Sequence, residues 1–168
     1  MRRSSLCGLI GVLAASIRAA ALSQGPGQAP KSPTQEERFA RQVIDLTNRE
    51  RARYNLPALT AQKNLGAAAS WMARDLTQNP SFSHTDRQGR NIQERLPAFG
   101  YTDWRSIGEN IAAGQPTPEK VVDAWMHSPG HRRNILTSSF REIGVGTVDA
   151  PGSKFKRYWV EDFGSRAE

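Results

Sequence analysis

The sequence predicts an α+β domain in which helices cover a largely antiparallel sheet. Three observations carry this. Apolar residues at helical spacing, opened by capping residues, dominate the first half of the chain, while glycine-rich and aromatic strand-like runs close it. The two kinds of run do not alternate as strand–helix units, which argues against a doubly wound parallel sheet. The 168 residues, 38% apolar and 23% charged, fit one globular domain without internal repeats.

Each element has its own signal. Thr34 followed by Glu37 is a capping box, and Phe39, Val43 and Leu46 recur at helical spacing until Asn55-Leu56-Pro57 stops the pattern. Thr60 is expected to cap a second helix carrying Leu65, Ala69, Met72 and Leu76, which ends by Asn79-Pro80. A short helix holds Ile92, Leu96 and Phe99 and is cut by Pro97 and Gly100. Thr117-Pro118 opens a helix through Val121, Val122 and Trp125 that stops at Ser128-Pro129-Gly130. Strands are expected over 107–113, 142–148 and 155–163, the last two joined by an Ala150-Pro151-Gly152-Ser153 hairpin. Of the four tryptophans, Trp71, Trp125 and Trp159 read as core and Trp104 as the one nearest a cleft rim.

The N-terminus reads as an export signal over 1–23. Arg2 and Arg3 precede a run of about twelve apolar residues from Leu6 to Ile17, and Ala19 and Ala21 offer a small-residue cleavage pattern. That run is far shorter than the ~20 residues of a spanning helix, so no integral membrane anchor is expected and the protein is expected to be secreted, either extracellular or periplasmic. Residues 24–33, rich in Gly, Pro and Gln, read as a flexible leader, and 34–168 as the domain. Cys7 leaves with the signal, which excludes disulfides and thiolate zinc sites from the remainder. Losing residues 1–21 removes Arg2, Arg3 and Arg18 and no acid, so the formal charge falls from +7 to +4. The remaining arginines are interleaved with acids along helix faces, so no nucleic-acid partner is expected.

The chain has three histidines, His84, His127 and His131. His127 and His131 stand at the i, i+4 spacing of a zinc-protease helix, but Pro129 and Gly130 intervene and Ser128 stands where the catalytic glutamate belongs. His127 reads instead as a polar residue at a helix C-terminus.

Four segments are more specific: Phe82-Ser83-His84-Thr85-Asp86, Gly108-Glu109-Asn110-Ile111-Ala112, the run from Trp125 to Leu136, and Tyr158 to Gly164. In this order they resemble the CAP superfamily, also called SCP-like, of cysteine-rich secretory, antigen 5 and plant pathogenesis-related class 1 proteins, in a cysteine-free form similar to the bacterial secreted branch. The resemblance implies an α-β-α sandwich whose central cleft bears two histidines, matched by His84 and His131, and two acids, matched by Glu109 and, on the short helix, Glu94. It does not bring an established reaction with it. Two neutral imidazoles suit Zn²⁺ or another divalent cation, with the carboxylates orienting the rings. The resemblance also makes a lipid, a sterol or a cell-wall fragment a reasonable ligand. Two alternatives stand beside this binding module: a cell-envelope hydrolase acting through the same four residues, and a rigid scaffold for a protein partner in which they form a polar brace.

Overall fold

The computed structural model describes residues 32–167; the expected signal and nearly all of the expected leader lie outside the described residues. The capping box forms as read: Thr34 and Glu37 exchange side-chain and backbone bonds at the head of α1 (Gln35–Arg53). Asn55, in the left-handed conformation at φ 55°, turns the chain after it. Thr60 does not cap a helix. It pairs with Glu142 in a two-residue strand, β1 (Thr60–Ala61), and the Gln62 side chain caps α2 (Lys63–Leu76) instead.

The remaining elements are α3 (Ile92–Arg95), which runs into a 3₁₀ turn over Leu96–Phe99, then β2 (Trp104–Ala113), α4 (Pro118–His127), α5 (Pro129–Ile135), β3 (Glu142–Ala150) and β4 (Lys156–Arg166). The expected strands are all present, somewhat longer than read. α4 stops at Ser128-Pro129 as expected, but the chain stays helical: Pro129 occupies the first turn of α5, where its missing N–H has no partner to lose, so α4 and α5 abut at Ser128.

The sheet has the order β1-β3-β4-β2, antiparallel except for the parallel β1–β3 pair. Side chains alternate between its faces. On one face Ile111, Tyr158 and Val160 pack under Ala69, Met72, Ala73 and Leu76 of α2. On the other, Ala112, Ile143, Val145, Trp159 and Phe163 pack under Val43, Val121, Val122, Trp125 and Ile135 of α1, α4 and α5. The result is a helix–sheet–helix sandwich with a core on each side. The α2 side closes tightly because β3 carries glycines there: a Cβ at Gly144 would stand 2.1 Å from the Gly66 nitrogen, and one at Gly146 2.2 Å from that of Ser70. Trp125 and Trp159 are buried as expected, while Trp104 is half-buried against Leu65 and Tyr101. Among the described residues no helix is long and apolar enough to cross a membrane.

Candidate functional site

β2 is the outer strand of the sheet, and the site is built around its free edge. Its outward carbonyls meet side chains rather than another strand: Asn134 Nδ2 donates to the Glu109 carbonyl at 3.1 Å, and the Trp125 indole donates to that of Ile111 at 3.4 Å. Alternation places the Glu109 side chain on the α2 face and that of Asn110 on the α5 face.

Glu109 is buried, with only 2% of its side chain exposed. Its Oε1 accepts from His84 Nδ1 at 2.9 Å, and its Oε2 accepts from Nη2 of Arg95, which is wholly buried. The ring of His84 is held from the α2–α3 loop, with 55% of its side chain open to solvent. Because Nδ1 faces the carboxylate, Nε2 is the nitrogen left for a ligand. His131 stands near the start of α5, on the other side of the sheet. Its backbone carbonyl accepts from Asn110 Nδ2 at 3.2 Å. Burial lowers its pKa, and the His84 imidazole lowers it further. A lowered pKa favours the neutral imidazole, the form that ligates a metal.

The structure gives Glu94 a different task. Its Oε2 accepts from the Asn91 backbone N–H at 2.9 Å, and Asn91 Oδ1 accepts from the Glu94 N–H at 3.2 Å, so this exposed carboxylate closes the capping box of α3. The residue that α3 turns inward is Arg95. His127 ends α4, its Nδ1 meeting the Asp123 carbonyl at 2.8 Å, well exposed.

Sequence reasoning missed the second layer. Asp162 lies directly opposite Glu109 on β4, completely buried, with neither oxygen bonded to a protein donor. Burial first, and then the neighbouring charge of Glu109, drive its pKa well above the carboxylate range, against the attraction of Arg95. On the opposite face Glu161 accepts from Thr47 Oγ1 at 2.5 Å and Asn110 Nδ2 at 3.1 Å, and burial pushes its pKa up to about 7. Adjacent acids in the middle of an aromatic strand were the available signal, since one of them must face each core.

Among the described residues no three His, Cys, Asp or Glu side chains form a metal centre by themselves. The donors that fit a borderline cation are the two imidazoles, with Glu109 orienting one of them; further ligands would come from water or from a bound molecule.

The model of the cysteine-rich secretory protein family, CAP, matches residues 44–163. The Bacillus subtilis protein YkwD, of uncharacterized function, is 34% identical over 146 residues, covering 87% of this chain and 54% of its own length. The uncharacterized membrane protein YlbC of the same organism is 31% identical over 123 residues, covering 73% and 33%. The chain thus spans about half or less of these curated relatives. Among solved structures, an extracellular SCP-domain protein of Bacillus anthracis superposes with a TM-score of 0.72 at 29% identity, covering 83% of this chain and 45% of that one. An outer surface protein of Borrelia burgdorferi, at 23% identity and TM-score 0.68 over 76% of this chain and 92% of its own, shares the fold.

Proposed function

Because this chain belongs to the cysteine-rich secretory protein (CAP) family, we propose that it is an exported binding module whose cleft, formed by His84, Glu109 and His131, holds a divalent cation together with an oxygen-rich anionic ligand, a lipid headgroup or a cell-envelope fragment. The observation that carries this reading is the 2.9 Å contact of His84 Nδ1 with buried Glu109, which fixes an exposed imidazole with its other nitrogen outward. A bound cation would supply positive charge to polarise ligand oxygens. His84 and His131 would hold it, and Glu109 would fix the tautomer of His84. Two protein donors leave most of the coordination sphere to the ligand, so cation and ligand are expected to bind cooperatively. Export is supported by the N-terminal apolar run and by the extracellular description of the Bacillus anthracis relative.

Calorimetric titration of the protein with Zn²⁺, beside the His84→Ala, His131→Ala double variant, tests the reading: heat is expected only from the unsubstituted chain, and equal heats would remove the cation. A second reading, a polar brace in a scaffold for a protein partner, draws its support from the buried Arg95–Glu109 pair. It predicts that Glu109→Ala lowers the melting temperature with no change in Zn²⁺ heat.

A further inference from the structure

A second site is built on the opposite edge of the sheet. β1 covers only the first two positions of β3, pairing Thr60 with Glu142 and Ala61 with Ile143, before the chain leaves the sheet at Gln62 to begin α2. Two bonds define which way β3 faces beyond that point. The Gln62 N–H donates to the Ile143 carbonyl at 2.8 Å, and the Asp149 N–H donates to Glu36 Oε1 at 3.3 Å, so odd-numbered residues turn their peptide groups away from β4. Val145 and Thr147 lie between them, and no strand or side chain among the described residues pairs with their outward backbone groups. Both residues line a groove of about 720 Å³ between α1 and α2. It adjoins a smaller, more apolar hollow of about 290 Å³ against Ile44, Ala61 and Ile143, with Lys63, Gly66 and Val145 common to both.

The walls carry a charge bias. Arg41, Lys63 and Arg74 line the groove, and among the described residues none of them forms an ion pair. The acids there, Glu36 and Glu37, are engaged by the Asp149 and Thr34 backbone N–H groups. Val145 and Thr147 are 5% and 4% exposed, so their outward groups are reached only through the groove, whose three cations outnumber its two carboxylates and favour an acidic occupant.

We propose that this slot docks an extended acidic peptide segment of a partner protein, which adds as a strand beside β3 in line with β1. Its backbone bonds Val145 and Thr147, its apolar side chains enter the hollow at Ile44 and Ile143, and its carboxylates meet Arg41 and Arg74. A strand of about five residues, near 17 Å long, spans the open positions. Gly66 is the wall's thin point: nothing lies within 4 Å of a Cβ built there, so a larger side chain would fill the slot without disturbing the fold.

The test uses the full chain, ¹⁵N-labelled, and a blocked five-residue peptide of alternating glutamate and valine, beside the same peptide N-methylated at its valines. Expected is a roughly tenfold or greater slowing of amide exchange at Val145 and Thr147 with the first peptide and none with the second. Gly66→Leu abolishes the effect while the melting profile is kept. Arg41→Glu with Arg74→Glu weakens the glutamate peptide roughly tenfold or more and strengthens a lysine–valine counterpart. The proposal is overturned by equal binding of the N-methylated peptide, by shifts mapping away from β3, or by undiminished binding to Gly66→Leu. It is equally overturned by no protection at millimolar peptide, or by pairing of β3 with a second copy of the chain.

Discussion

The Arg95–Glu109 pair offers the sharpest energetic prediction. Arg95→Met leaves the Glu109 carboxylate in a buried position facing Asp162, another acid, with the half-open His84 as its hydrogen-bond partner among the described residues. Breaking a buried pair from one side costs about 3–5 kcal/mol, because the surviving charge is uncompensated. For a domain of this size, at about 3 °C per kcal/mol, the melting temperature falls by about 10 °C. Glu109→Leu leaves Arg95 charged, but Asp162 stands near enough to ionise against it, so the loss drops to about 2–3 kcal/mol. The double variant replaces the pair by apolar groups of similar volume and is expected within about 2 kcal/mol of the original chain. Urea denaturation of all four proteins at pH 7 gives the coupling energy, expected above about 2 kcal/mol. Losses that simply add in the double variant would refute the reasoning, since Glu109 would then be held in place by something other than Arg95.

Glu161 has a raised pKa in the folded state, so its contribution to stability is complete below its unfolded value and fades as pH climbs toward about 7. Between pH 4.5 and 7 this amounts to about 3 kcal/mol, and Glu161→Gln is expected to flatten the stability profile over that window; an unchanged slope in denaturation at stepped pH would count against it. Gly144→Ala drives a Cβ into the backbone of Leu65 and Gly66 and is expected to cost at least about 3 kcal/mol or prevent folding, as read by thermal melting. Gly66→Ala, by contrast, has open space and a helical position, and should stabilise the domain by about 1 kcal/mol; a lower melting temperature would contradict the open groove.

The sequence carried the locally encoded parts of this molecule and lost those encoded at a distance. The capping box at Thr34 and Glu37 and the Thr117-Pro118 start specify their helices within a single turn, and both formed as read. Thr60 has the chemistry of a cap, yet becomes a strand because β3, some eighty residues later, presents it with a paired edge. Pro129 breaks α4 and opens α5 with the same ring, and only the second role needs the tertiary placement of Ile135 in the core. Of the candidate site, the family resemblance pointed to His84, Glu109 and His131, and the structure joins the first two by a side-chain hydrogen bond. The role of Glu94 was written locally, since Asn91 three residues earlier completes a capping box. Arg95, one position on, could not be distinguished from an ordinary surface arginine until the short helix was packed against β2.

The proposed cation site requires His84 and His131 to act together at the β2 edge. The direct measurement is ¹⁵N imidazole spectroscopy of the full chain during addition of Zn²⁺. His84 and His131 are expected to shift together, saturating at one equivalent, while exposed His127 stays at its starting position until excess metal is present. Independent titration of the two, or a response led by His127, would contradict a shared site.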